Sequence, residues 1–468
     1  MRCHECETNR MSAFDPKSFE KVLLAHVDEP DSHTLGFYLS HGGYEGAKTA
    51  ILQHKPDEVI EIIKKSNLRG RGGAGFPCGL KWSFVPKSTP KPKYLAVNAD
   101  ESEPGTFKDR VIIERDPHQL LEGIIIACHA VGIRTSYIYI RGEFVHGARV
   151  LEKAVAEAYE RGILGPKVLG TEMTLDVTVH RGAGAYICGE ETGLLSSLEG
   201  KRGLPKIKPP FPAVEGLFGC PTVVNNVETL ANLPHIMNRG ADWFRSIGPE
   251  KSPGPKLICV SGHVNRPGTY EVPMGINLMV LINDVCGGVW KGRKLKAVIP
   301  GGTSAKILTA AECDVAMDFD SLASKGTMLG SGGVIVMDEK TDMVDGLYNI
   351  LRFYHHESCG QCTPCREGTG WLEKIVGRIR AGNGRMEDID LLVEICEMMV
   401  GKTICVLADA AAFPCESIVK KFRPEFEERV KGGSGFVPSV STGGPLVQIG
   451  SLSSHNQETR SARAAHHG

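Results

Sequence analysis

Cys359, Cys362 and Cys365 lie in the run Ser-Cys-Gly-Gln-Cys-Thr-Pro-Cys-Arg-Glu-Gly. Three thiols, each pair separated by two residues, converge on one point in a tight loop. Thiolates in this spacing form the compact part of a four-ligand iron–sulfur set. The fourth ligand must come from elsewhere, and Cys405, forty positions beyond Cys365, is suited to it. Thr363 followed by Pro364 reads as a helix cap and first helical residue. Backbone N–H groups at such a helix start favour a negatively charged cluster. A structural zinc site is the alternative, although zinc usually draws on two separated Cys-x2-Cys pairs. Unligated thiols are the third reading. A chain with such a cluster moves electrons.

A second group of residues could hold a flat or phosphorylated ligand. Gly70-Arg-Gly-Gly-Ala-Gly75 matches G-x-G-x-x-G. The dinucleotide fingerprint needs a strand before that loop. Here Val59, Ile60, Ile62 and Ile63 give residues 56–67 a helical period instead. It is therefore not an ordinary Rossmann loop, but its glycines still let the backbone approach a ligand closely. A tight surface turn is the bland alternative. Lys81 and Trp82 follow, then Asn98-Ala-Asp-Glu-Ser-Glu-Pro-Gly105 at the end of a strand over 94–98. Ligands of open α/β sheets bind beyond strand carboxyl ends. Lys81 offers a point charge for a phosphate or flavin oxygen, and Asp100, Glu101 and Glu103 could accept from sugar hydroxyls. A solvated acidic loop is the competing reading. Arg181-Gly-Ala-Gly-Ala-Tyr-Ile-Cys-Gly-Glu-Glu-Thr192 again sets glycines beside paired carboxylates. A helix over 193–198 would leave amides for a phosphate. Asn225 and Asn226 are either ligand-binding carboxamides, costly in a core otherwise, or a turn.

The elements that must position these residues follow from periodicity. Strands are expected at 94–98, 136–140 and 174–179, alternating with helices at 120–131 and 150–159. That alternation predicts an α/β core with a largely parallel sheet. Short strands at 257–260, 268–272 and 296–299 around a helix at 278–285 predict a small α+β unit. Helices at 347–354, 371–379, 389–399 and 418–430 follow, then a Gly-, Ser- and His-containing tail expected to be disordered. The expected division is an N-terminal segment 1–55, an α/β domain 56–246, a small domain 247–340, a helical bundle 341–432 and the tail 433–468.

With 41% apolar and 23% charged residues, the composition is that of ordinary globular protein. A net charge of −1 gives no reason to expect nucleic acid as a partner. No apolar run suggests a membrane span or an ordinary secretory signal. Fifteen cysteines in a long chain fit a reducing, cytoplasmic compartment better than a disulfide framework.

Taken together, the segments at 69–77, 98–106, 184–192, 224–229 and 357–365 resemble the NADH-oxidising flavoprotein subunit of respiratory complex I (NADH:quinone oxidoreductase), over roughly residues 36–429. The resemblance implies an FMN/NADH-binding α/β domain, a small ubiquitin-like β-grasp domain and a C-terminal helical bundle carrying a [4Fe-4S] cluster. It implies FMN held by Gly70, Gly72, Lys81, Asn98, Asp100, Gly189, Glu190, Asn225 and Asn226. Gly73, Gly75, Glu101 and Ser102 of the same loops count among the cofactor-binding residues. Phe76, Phe84 and Phe211 look like the family's adenine-stacking aromatics, with Glu103, Tyr186 and Glu191 lining the dinucleotide pocket. The cluster ligands implied are Cys359, Cys362, Cys365 and Cys405. Cys405 is preferred to Cys415 because the family's match runs through 403–409, and Cys396 reads as packing. Cys78 stands where the family commonly has threonine. Cys3 and Cys6 lie outside the resemblance and are expected to be unligated.

The implied activity is NADH dehydrogenase, passing hydride from NADH to FMN and single electrons to the cluster, with no side chain acting as acid or base. The implied partners are a thioredoxin-like [2Fe-2S] subunit and a large iron–sulfur subunit, in the peripheral arm of a membrane complex on its cytoplasmic face. The competing assignment is the diaphorase subunit of an NAD-linked hydrogenase or formate dehydrogenase. A zinc-stapled, non-catalytic nucleotide-binding scaffold is a reading of another class.

Overall fold

The computed structural model describes residues 19–433. Cys3, Cys6 and the expected tail beyond residue 433 lie outside the described residues. Four segments rich in β-branched and aromatic residues form one sheet: β1 (Tyr94–Ala99), β2 (Thr135–Ile140), β3 (Asp176–Arg181) and β4 (Thr222–Asn226). Every pair is parallel, in the order β3-β2-β1-β4. The chain steps outward from β1 to β3 and then returns to the other side of β1. Strand order therefore reverses between β1 and β4.

The Pro117–Val131 helix, one of the crossovers, shows why the sequence folds this way. Asp116 caps it by accepting from the Gln119 N–H, Pro117 opens the first turn, and Gly132 closes it at φ 75°. Its faces are buried nearly all round, including Leu120, Leu121, Ile124 and Ile125. Each such side chain contributes about 1.5–3 kcal/mol on burial. β4 is missing from the periodicity because Pro221 and two asparagines look like a turn. The intervening Val223 and Val224 are buried as a parallel strand, a run too short to carry a period.

A second sheet has the order β6-β5-β9-β7-β8, from β5 (Pro255–Gly262), β6 (Gly268–Pro273), β7 (Leu295–Ile299), β8 (Leu308–Thr309) and β9 (Gly333–Asp338). Only β5 and β9 run parallel. The helix expected at 278–285 is one α-turn, Leu278–Val280, continuing as a π-turn, Leu281–Val285. Ile258, Val260, Leu281, Val298 and Val334 form the core of this unit.

Five helices end the described chain: Met343–Glu357, Thr363–Arg380, Met386–Met399, Leu407–Lys421 and Arg423–Gly432. Leu351, Leu372, Val376, Leu392, Ala411 and Ile418 pack between them. The single helix expected over 418–430 is in fact two, broken at Phe422 where Pro424 disfavours continuation. The first of the two begins at Leu407 and carries Pro414 inside it. The helix after the cysteine run is also shifted: Cys362 is the cap residue, and no side chain caps it. Among the described residues no helix is long and apolar enough to cross a membrane.

Candidate functional site

The reversal between β1 and β4 opens a crevice at the carboxyl ends of the two strands, the general ligand position in parallel α/β sheets. Asn98 and Asn226 are register partners there. Three loops close around them. The glycine-rich loop meets β4, where a Cβ on Gly72 would stand 3.0 Å from Asn226 Cβ. Lys81 donates to the Val224 carbonyl at 2.9 Å and reaches Glu191 at 3.4 Å. Asn98 donates through Nδ2 to the Gly189 carbonyl at 2.8 Å, drawing the third loop over β1. Gly189 is confined as well, since a Cβ would lie 3.2 Å from Asp100 Oδ2.

Other candidates serve the loops themselves. Gly70 donates to the Phe76 carbonyl, and Gly75, at φ 64°, packs so tightly on Phe319 that any side chain would collide. Gly73 adopts φ 139°. Glu101 is turned inward, accepting from the amides of Asp109 and Arg110, and Ser102 donates to Asp100. Asn225 is also inward, accepting from Trp82 Nε1 at 2.9 Å. A buried carboxamide is tolerated there because it has a partner. The amides expected to be open for a phosphate at 193–198 are not: the helix begins at Glu191, and Glu190 accepts from Thr192 and Gly193 N–H.

Glu103 accepts from the Tyr186 hydroxyl at 2.7 Å and the Ser304 amide at 2.8 Å. Burial raises the pKa of its carboxyl, against the pull of the Tyr186 hydroxyl. Phe76 and Phe84 are 44% and 52% exposed with ring centroids 6.1 Å apart, and Phe211 is 58% exposed. Exposed phenyl faces of this kind are suited to stacking on a flat ring.

The cysteine run lies across from this crevice and is fastened to it. Glu357, two residues before Cys359, accepts from the Tyr186 amide at 2.9 Å, and Arg202 donates to the Cys359 carbonyl at 3.3 Å. Tyr186 also packs edge-on against Phe353. Burial pushes the Cys405 thiol up to about 11, with Cys359 and Cys365 adding to the effect. Ile404, its neighbour, donates its amide to Cys362 Sγ at 3.4 Å. Cys415 instead meets Cys396, whose contact together with burial drives its thiol well above the ordinary range.

Family models match three stretches: a Nuo51 FMN-binding domain over 63–235, an SLBB domain over 256–336, and an NADH-ubiquinone oxidoreductase-F iron-sulfur binding region over 345–429. The second F subunit of the NADH-quinone oxidoreductases of Rhizobium meliloti is 56% identical over 413 residues, covering 88% of this chain and 98% of the relative. The chain belongs to the family of NADH-quinone oxidoreductase F subunits. Its counterpart in Streptomyces coelicolor is 52% identical over 91% of this chain and 95% of its own. A crystal structure of an NAD+-reducing [NiFe]-hydrogenase superposes with a TM-score of 0.75 at 36% identity, covering 88% of this chain and 67% of that one.

The cofactors of this family, FMN and a [4Fe-4S] cluster, can be tested against the residues present. Burial keeps the Cys365 and Cys405 thiols protonated, with the neighbouring cysteines adding to the effect. Each would give up its proton on binding an iron centre, and four cysteine thiolates are the donor set of an iron–sulfur cluster. Among the described residues no three His, Cys, Asp or Glu side chains close tightly enough on one point for a single ion. The ligand spacing, three contiguous cysteines with a distant fourth, differs from the two separated pairs usual for zinc and suits an iron–sulfur cluster. The crevice offers glycine backbone, carboxamides and a lysine at strand ends, which suits a flavin phosphate and ring. Sequence reasoning missed Lys208, which bridges Glu190 and Glu191, and Glu357; both act on partners more than ten residues away, beyond any local pattern.

Asp100 gives this crevice a pH dependence. Burial pushes its carboxyl from 3.8 up to about 7, with the Ser102 hydroxyl opposing. Folding thus favours the protonated form, so its contribution to stability is complete below 3.8 and is lost as pH rises through about 7. In flavin-free protein, Asp100→Asn should show a melting advantage over wild type that grows from about pH 4 to about pH 7 and then levels. Melting curves across that range check it; a difference constant with pH contradicts it.

Proposed function

We propose that the chain is the electron-input subunit of an NADH:quinone oxidoreductase, with Gly70, Gly72, Lys81, Asn98, Glu190 and Asn226 around the flavin. Asp100, Gly189 and Asn225 act from behind, by shaping the crevice. Bound there, FMN would supply acceptance of a hydride from NADH and release of electrons singly, and a [4Fe-4S] cluster would supply one-electron acceptance. This chain's residues position the two groups and need supply no acid or base. Phe76, Phe84 and Phe211 offer faces to the adenine, with Glu103, Tyr186 and Glu191 at the dinucleotide. Cys359, Cys362, Cys365 and Cys405 hold the cluster.

The observation that carries this reading is the fastening of the cysteine run to the crevice by Glu357 and Arg202. A nucleotide-binding scaffold with a separate metal staple has no need of that connection. Residues 247–340, which include the second sheet, are read as the β-grasp unit. Exposed Ile404 and Val406, flanking Cys405, suit a docked carrier, here the large iron–sulfur subunit, with a thioredoxin-like [2Fe-2S] subunit as the other neighbour. The chain belongs to the peripheral arm of a membrane complex, on its cytoplasmic face. Greater identity to the quinone-linked relatives than to the hydrogenase chain, 56% against 36%, favours the quinone assignment.

The test is a complex purified anaerobically through this chain. It should contain flavin and iron attributable to this chain in a ratio of about one to four, with a flavin band that NADH bleaches within mixing time. A colourless preparation, or a coloured one unchanged by NADH, defeats the reading.

A further inference from the structure

We propose that Ser358 is a positioning residue for the cluster: its hydroxyl donates to the Cys365 sulfur and raises the reduction potential of the group that sulfur holds. This rests on Cys365 being a ligand, as proposed above. Ser358 Oγ lies 3.2 Å from Cys365 Sγ. The Gly360 amide points at the same oxygen from 3.4 Å, so the oxygen accepts there and its proton is free to face the sulfur. A ligating thiolate has no proton, which leaves Ser358 as the only possible donor of the pair.

The placement is selective. Cys365 is 6% exposed, whereas Cys359, Cys362 and Cys405 are all partly open to solvent. Cys362 already has a donor in the Ile404 amide. Cys365 is the most buried of the four residues, and a hydroxyl is supplied there. Adding an electron increases the negative charge on the ligand sulfurs. A donor aimed at one of them therefore stabilises the reduced state more than the oxidised state, and hydrogen bonds to sulfur are among the main determinants of cluster potential. Ser358 is itself held by its neighbours, since Glu357 and Cys359 are the two residues tied to the flavin side by Tyr186 and Arg202.

The test is an electron paramagnetic resonance redox titration of this cluster in the assembled complex. Ser358→Ala should shift the midpoint to a more negative value, while iron content and flavin reduction by NADH stay at wild-type levels. Ser358→Thr and Ser358→Val form a near-isosteric pair that separates the hydroxyl from packing. The threonine variant should keep the wild-type midpoint, and the valine variant should move with alanine. Equal midpoints for threonine and valine, or an alanine variant that titrates like wild type, overturn the proposal. A missing cluster signal in the wild-type complex would instead count against the ligand assignment, so the two failures are distinguishable.

Discussion

Cys405→Ser is expected to leave NADH-driven flavin reduction, and turnover with a soluble one-electron acceptor at the flavin, close to wild type. Quinone reduction by the same complex should fall more than about 100-fold, beyond the roughly 10–100-fold losses typical of substitutions outside the ligand set. Cys362→Ser should behave alike, because both sulfurs belong to one convergent group joined through the Ile404 amide. Cys415 is the internal control. It is fully buried against Cys396, where an uncharged thiol behaves as a small apolar side chain. Cys415→Ala should cost about 1–2 kcal/mol of stability as a small cavity and leave the cluster spectrum intact. Paired assays of flavin reduction and quinone reduction, with iron content, read both variants. Full quinone activity in Cys405→Ser, or loss of iron in Cys415→Ala, would reverse the assignment of the fourth ligand.

The contrast between these two cysteines shows what was legible in the sequence. Three ligands sit within seven residues, so their spacing speaks directly, and the parallel α/β core follows from strands that alternate with helices. Cys405 could be ranked above Cys415 only through a resemblance, because the choice depends on how the Leu407–Lys421 helix packs. Pro414 hid that helix by interrupting its pattern. β4 escaped because its apolar stretch is two valines long, although its last residue forms half of the crevice. In the sequence, the polarity of Glu101 and Asn225 points to a ligand, whereas both side chains turn inward. Polarity cannot distinguish a side chain aimed at a cofactor from one that holds its own loop. The largest omission is of the same kind: Lys108, Lys256 and Glu228 look like surface residues in a sequence and are all fully buried.

Glu228→Gln is expected to lower stability by about 3–5 kcal/mol, the usual result of removing one partner from a buried ionic group. Glu228 accepts from Lys108 at 2.9 Å, Lys256 at 2.7 Å and the Leu257 amide at 2.8 Å. Lys108 comes from the loop after β1 and Lys256 from β5, so this carboxylate joins the two sheets. Burial would raise its pKa, but Lys108 and Lys256 outweigh burial and hold it below the usual range. Lys256 is less well served: burial lowers it to about 8 despite Glu228. A glutamine keeps the shape and loses the charge, leaving Lys256 with carbonyl partners alone, while Lys108 retains Asp109 at 2.7 Å. The damage should therefore centre on Lys256. Adding Lys256→Met to Glu228→Leu removes both members of the Lys256–Glu228 pair and should recover part of the loss, the remainder being the Leu257 amide left without its acceptor. Chemical denaturation of the flavin-loaded chain compares the three proteins. A glutamine variant with the wild-type midpoint would mean that the joint between the sheets does not depend on this charge.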